Sequence, residues 1–384
     1  MSVFDRLVGQ DDVVSVLSEA AQAGSAGPGM THAWLFTGPP GSGRSVAARA
    51  FAAALQCPRG GCGDCHECHT AMTGAHPDVN LVVPEGLHLK LDETRAIVQE
   101  SFRAPTLGRW HVTVIEDADR MEERTGNALL KALEEPPPRG VFLLCAPTPD
   151  DLLPTIRSRC RLVTLRIPTY DAVAGQLERE GVDRAIAAFA AHAAQGHIGR
   201  ARRLAVDDQV RQRRRDVLDL TGQVATVPGC FAAAANFVDA AKDEAAAVTD
   251  ELDQAETSAM REAFGADVAV RGARGQGRPR AAAALSDLEK RQKSRSTRTQ
   301  RDALDRALID LASFYRDVLV VQLGAGVDMV NVDMQRPVAH VAESSTPEST
   351  LRRIEAILAC REAIGTNVAP LLAVEAMAVA LHAG

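Results

Sequence analysis

An α/β domain followed by an all-α one is the fold class this sequence predicts, and three patterns carry that reading. Short, continuous apolar runs alternate with helical stretches through the first 166 residues, the β signal fades after Pro168, and from about residue 207 only helical periodicity remains. The chain has 384 residues, enough for two or three domains with cores of their own. Hydrophobic residues make up 46% and charged ones 24%, which places it among folded globular chains and excludes a disordered one. Its net charge of −7 excludes a protein that coats nucleic acid or a membrane surface through charge alone.

The apolar runs are His32–Thr37, Val79–Val83, His111–Ile115, Gly140–Cys145 and Arg161–Arg166. They are continuous where a half-exposed strand would alternate, so they are expected as parallel strands covered on both faces. Helices read between them at 43–56, 92–102 and 124–135, the last stopped by Pro136-Pro137-Pro138. Strands alternating with helices give a doubly wound α/β domain over residues 1–167. Residues 170–204 read as short helices broken at Gly181, Gly196 and Gly199. Within 207–384, residues 301–323 show the clearest stripe (Leu304, Leu308, Leu311, Tyr315, Val318, Leu319), ending at Gly324. Residues 262–281 are rich in Gly and Arg, lack a period, and are expected as a flexible loop.

Gly38-Pro-Pro-Gly41-Ser42-Gly43-Arg44-Ser45 follows a strand and opens a helix, the context of a phosphate-binding loop. In such a loop a ring of backbone N–H groups and a helix N-terminus cradle phosphates, a lysine reaches the β and γ phosphates, and the hydroxyl holds Mg²⁺. Here Arg44 stands at the lysine position, and a planar guanidinium does not fill the place of a compact ammonium. The strand Val112–Ile115 ends in Glu116-Asp117, at the Walker B position, where a hydrolysing site needs Asp then Glu. One carboxylate is a methylene too long and the other a methylene too short, and a shift of roughly 1 Å can cost about a hundredfold in rate. Two readings follow: a loop that still takes ATP and Mg²⁺, or an inherited loop that shapes the fold.

Cys57, Cys62, Cys65 and Cys68 stand at spacings x4, x2 and x2 within residues 57–69. The N-terminus, MSVFDRLVGQDD, lacks a secretion signal and no apolar run reaches 18 residues, so a cytoplasmic, reducing location is expected and no membrane span. Four close thiols there suit structural, tetrahedral Zn²⁺ with no open position. A redox pair or unliganded thiols are the alternatives, and His66 and His69 are alternative ligands.

VFDRLVGQDDVVSVL, HAWLFTGPPGSGRSVAARAFAAALQC, TGNALLKALEEPPPRGVFLLCAP and TIRSRCRLVTL resemble the clamp-loader branch of the AAA+ family, and within it the delta-prime type of bacterial DNA polymerase III subunit. The resemblance covers roughly residues 3–205 and implies a RecA-like AAA+ domain with an embedded zinc module, a small helical lid at 168–206 and a helical collar at 207–384. It implies a five-membered ring with gamma/tau and delta-type subunits, acting on the sliding clamp and primed DNA, with the chain at the replisome on the nucleoid. It also implies a non-hydrolysing stator in which Arg159, of Ser158-Arg159-Cys160, is an arginine finger supplied in trans to a neighbour's ATP. The family's zinc module has a longer first spacing, which leaves Cys57 the ligand that departs from the pattern. The segment Gly196–Ala201 matches the one that carries the sensor-2 arginine in hydrolysing subunits, and Gly199 stands at that place. The alternative is an active ATPase resembling gamma/tau, against which Arg44, Glu116-Asp117 and Gly199 all speak.

Residues 271–301 hold ten basic residues against Asp287 and Glu289. The run suits a contact to DNA or an acidic partner, or else a solvated helix face. No aromatic residue interleaves it, so it offers no stacking platform for single strands.

Overall fold

The computed structural model describes residues 2–23, 29–84, 86–263, 277–366 and 368–384. It divides into two units, Met1–Val206 and Asp207–Gly384.

The first unit is built on five parallel strands, β1 (Ala33–Thr37), β2 (Val79–Val82), β3 (His111–Ile115), β4 (Gly140–Ala146) and β5 (Arg161–Thr164), in the order β2-β3-β4-β1-β5. The central strands β1, β3 and β4 are buried along their whole length, which is why each reads as a continuous apolar run. Their side chains alternate between two cores. Trp34, Phe36, Val112, Val114, Val141 and Leu143 pack on α1 (Asp11–Ala23), α2 (Arg44–Gln56) and α3 (His66–Thr73). Ala33, Leu35, Ile115, Phe142 and Leu144 pack against Ile97 of α4 (Leu91–Ser101), Leu129 and Leu133 of α5 (Glu123–Glu134) and Ile156 of α6 (Pro154–Arg157). Alanines at 47, 48, 50 and 52–54 bring α2 close to the sheet, and Phe51 sets its ring edge-on to Trp34 at 4.8 Å.

The crossover from β1 leaves towards β2 and that from β4 leaves the other way, to β5. A crevice at the carboxyl ends of β1 and β4 is therefore the place where this topology takes a ligand. Three helices complete the unit: α7 (Tyr170–Arg179), α8 (Arg184–Ala193) and α9 (Ile198–Val206). Gly181 and Gly196 lie outside helices with φ of +92° and +79°, but Gly199, read above as a break, lies inside α9. A helix glycine costs about 1 kcal/mol against alanine, little beside the burial of Ala201, Leu204 and Ala205 on the same helix.

The second unit is helical: α10 (Asp208–Gln223), α11 (Val227–Ala263), α12 (Gly277–Gln322), α13 (Gln335–Ser344), α14 (Pro347–Gly365) and α15 (Pro370–Ala383). Leu304, Leu308, Leu311, Phe314 and Val318 of α12 form the spine of its core, with Phe237 of α11, Ile357 of α14 and Met377 of α15. The predicted stripe is thus the last half of a helix of 46 residues. Of the loop expected at 262–281, both ends are helical, since α11 reaches Ala263 and α12 begins at Gly277; residues 264–276 lie outside the described residues. Pro279 is tolerated because it falls in the first turn, and the alanines that follow it are strong helix formers.

Among the described residues no helix is long and apolar enough to cross a membrane.

Candidate functional site

The phosphate loop lies at the crevice. Gly38 N–H donates to Pro147 O just past β4 at 3.0 Å, tying the loop to the switch point of the sheet. Gly38, Gly41 and Gly43 have φ of +149°, +90° and +94°, a backbone that L side chains rarely adopt, and Gly43 caps α2. Two side chains of the chain itself occupy the loop. Arg44 folds back so that Nη1 donates to Gly38 O at 2.7 Å. His197, which precedes α9, presses on the other side: a β-carbon built on Gly41 would fall 2.6 Å from its Cγ, so there is no room there for a single carbon. The buried Ser42 hydroxyl has no hydrogen-bond partner. The cradle thus has the backbone of a nucleotide site, with His197 packed close against Gly41. Ser45 lies partly exposed in the first turn of α2.

The acidic pair at the end of β3 is committed as well. Glu116 is buried, and Oε1 accepts from Arg49 Nε at 2.7 Å, with the side chains 32% and 12% exposed for Arg49 and Glu116. Asp117 adopts a left-handed conformation, φ +48°, and sits 3.7 Å from Arg120. Sequence reasoning missed Arg49 and His197. The only signal for Arg49 is a lone arginine within the alanine run of α2, and its partner is 67 residues away.

Arg159 stands on the short connection between α6 and β5. Nη2 donates to Glu134 Oε1 at 2.5 Å, and Nη1 donates to Thr155 O at 2.8 Å and Ser158 Oγ at 3.4 Å. Its neighbours have other tasks. Arg157 pairs with Asp150, while Arg161 donates to Gly29 O and stacks over the Trp34 ring at 4.7 Å.

The four cysteines converge. Their sulfurs all lie within 4.8 Å of one another, with Cys57 3.6 Å from Cys62 and 3.7 Å from Cys65. Tetrahedral bonds of about 2.3 Å to one Zn²⁺ require sulfurs about 3.8 Å apart, so the cluster can hold a metal ion and is consistent with zinc. Cys57 belongs to it despite the short first spacing. Arg59 N and Cys62 N both donate to Cys57 Sγ at 3.4 Å, and Gly63 N donates to Cys68 Sγ at 3.4 Å. The N–H of Asp64 draws the Cys62 thiol down to about 6, whereas burial pushes Cys65 and Cys68 up. The other four thiols are free, with Cys145, Cys230 and Cys360 in cores and Cys160 partly exposed.

A further polar site was not foreseen. Asp78 is 1% exposed, and its carboxylate accepts from the backbone N–H of Thr106 at 2.6 Å, Leu107 at 2.8 Å and Gly108 at 2.5 Å. Burial pushes this carboxyl up, but the three N–H groups together outweigh it and hold it below its ordinary value. In the second unit Lys290, Arg295 and Arg298 of the basic run pair with acids. Arg295 bridges Asp253 and Glu256 of α11, each at 2.5 Å, Lys290 meets Asp287 at 3.1 Å, and Arg298 lies 3.7 Å from Asp302.

Comparison with known proteins shows what the first unit is similar to. Residues 9–169 match the family described as DNA polymerase III, delta subunit. The DNA polymerase III subunit gamma/tau of Mycobacterium tuberculosis is 35% identical over 188 residues, which are 47% of this chain and 32% of that protein. The subunit delta' of Pseudomonas aeruginosa is 40% identical over 135 residues (34% and 41%), and that of Bacillus subtilis 31% over 194 residues (50% and 59%). The chain thus spans about a third to three fifths of the length of these relatives. A gamma subunit-related protein of DNA polymerase III from Thermotoga maritima superposes at a TM-score of 0.42, with 17% identity over 97% of this chain and 99% of that one. The matched residues, 9–169, fall within the N-terminal unit, which is thus similar to subunits of DNA polymerase III.

Proposed function

We infer that the chain is a clamp-loader subunit of DNA polymerase III, and we propose that it is the non-hydrolysing, delta-prime type. The observation that carries the finer reading is how the charges of its own nucleotide site are spent. Arg44 is bonded to the loop it should serve, and Glu116 is paired with Arg49. A carboxylate paired with a guanidinium is less available to hold Mg²⁺ or to align water. His197 on Gly41 and the absence of a side chain at Gly199 support the same reading.

Arg159 is paired as well, with Glu134, but it differs in its place. It lies near the surface, on a connection with a phosphoryl-matching guanidinium to offer. When γ-phosphoryl transfer spreads charge over the equatorial oxygens, a delocalised cation supplied by a neighbour stabilises it, an effect worth about 10³-fold or more. On this reading the partners are gamma/tau and delta-type subunits in a five-membered ring, and the clamp and primed DNA are reached through the assembly. Cys57, Cys62, Cys65 and Cys68 would hold structural Zn²⁺, fixing the segment between α2 and α3. Kinship to gamma/tau, 35% over 188 residues, favours the alternative of an active ATPase. Two measurements decide. The isolated chain is expected to show no ATP turnover, and in a reconstituted ring Arg159→Ala is expected to abolish most of the DNA-stimulated turnover. Robust turnover by the isolated chain, or a ring indifferent to Arg159→Ala, overturns the proposal.

A further inference from the structure

Glu134 is the last residue of α5, where a carboxylate faces the negative end of the helix and is disfavoured unless a cation meets it. The cation that meets it is Arg159, at 2.5 Å, across 25 residues of sequence. The other terminal nitrogen of the same guanidinium is taken by Thr155 O and Ser158 Oγ. Bidentate recognition of a phosphoryl group uses two parallel N–H donors of this fork. With one terminal nitrogen on the Glu134 carboxylate and the other on the Thr155 carbonyl, the fork is engaged within its own subunit.

We propose that Glu134 is a positioning residue that parks Arg159, so that a neighbour's nucleotide must compete with an internal carboxylate for the guanidinium. This rests on the reading of Arg159 as a group supplied in trans. The competition is mild by construction. Glu134 and Arg159 are 49% and 35% exposed, and pairs so placed are screened by solvent and salt, corresponding to a factor of about two to five. Such a factor holds the arginine in one place while a doubly charged phosphoryl group still displaces the carboxylate. Glu134 thereby sets how readily the finger leaves, and the phosphoryl group draws it across.

The test uses two readouts. In the isolated full chain, phenylglyoxal modification of Arg159, followed by peptide mass spectrometry, is expected to rise about two- to fivefold on Glu134→Ala. In a ring with gamma/tau and delta-type subunits, Glu134→Ala should lower the ATP concentration for half-maximal turnover by a similar factor, with the maximal rate kept, and Glu134→Asp should fall between. Both effects should vanish in the Arg159→Ala background. A loss of maximal rate with Glu134→Ala would mean that the carboxylate holds Arg159 in its working position, and would overturn parking. Unchanged labelling in the isolated chain would overturn the pairing itself. Should Arg159→Ala leave ring turnover intact, the finger reading fails instead, and the labelling result stands apart from it.

Discussion

Glu116→Gln separates a structural carboxylate from a catalytic one, because the two roles predict opposite results. In a hydrolysing site this change would leave the fold alone and remove turnover. Here the carboxylate accepts from Arg49 at 2.7 Å, with Glu116 12% and Arg49 32% exposed. A hydrogen bond to a charged group contributes about 1.5–3 kcal/mol, and breaking a fully buried pair costs about 3–5 kcal/mol. Since Arg49 keeps access to water at about one third of its surface, the lower range applies, and the cost should be about 2 kcal/mol. For a unit of this size that lowers its unfolding temperature by about 4–8 °C. Arg49→Ala should cost as much, and the double variant should cost less than the sum, with a coupling energy above about 1 kcal/mol. Thermal and urea unfolding of the four proteins measures this, alongside ATP turnover by the isolated chain. An unchanged midpoint together with turnover lost from a measurable starting rate would refute the reasoning, because it would return Glu116 to a catalytic task.

Two other perturbations address the metal cluster and the Asp78 clamp. Bound zinc, measured by mass spectrometry of the native chain, is expected at about one per chain and should be lost on Cys65→Ser, with a lower unfolding midpoint that chelator reproduces in the parent protein; a zinc-free parent would sink the assignment. Asp78→Ala strands the N–H groups of Thr106, Leu107 and Gly108 and should cost about 3 kcal/mol, while Asp78→Asn restores an acceptor and recovers part. The folded carboxyl lies below its unfolded value, so its contribution is present in full above the unfolded value of about 4 and is lost as pH falls through the folded one. Asp78→Asn should therefore flatten the fall in stability below about pH 4, and an acid limb identical to the parent's would count against the clamp.

What was legible in the sequence was local or doubly buried. Strands β1, β3 and β4 announce themselves because both faces are covered, so their residues are mostly apolar, with Thr37, His111 and Thr113 as buried exceptions. The edge strand β5 was read as running to Arg166, yet it stops at Thr164, with Leu162 half exposed on the uncovered side. The cysteine cluster was legible because its ligands fall within a dozen residues, so chain connectivity alone brings them together. Arg49, Glu134, Asp78 and His197 were not legible. Each acts through a partner that only the fold supplies: Glu116 is 67 residues from Arg49 and Thr106 is 28 from Asp78. Gly199 misled because a glycine looks like a helix break wherever it stands. In place a β-carbon there would meet His197 Cε1 at 3.4 Å, an ordinary contact, so nothing in the packing requires glycine.

The position of Arg159 follows from the same packing. The short helix α6 is anchored by Ile156, 1% exposed, in the core beneath β1 and β4. Two residues beyond Arg159 the chain enters β5, where Arg161 takes register opposite Trp34 and lays its guanidinium over that buried ring. Arg159 is therefore held between a buried isoleucine on one side and a strand register on the other. A slip of one residue in β5 would turn Val163 out of the core, which the sheet resists. A subunit that hydrolyses nucleotide has to let its site open and close. One that supplies a single cation to a neighbour needs a rigid edge instead. On the proposed reading, internal pairs such as Arg49–Glu116 and Arg44–Gly38 O take up, within the unit, polar groups that a nucleotide would otherwise organise.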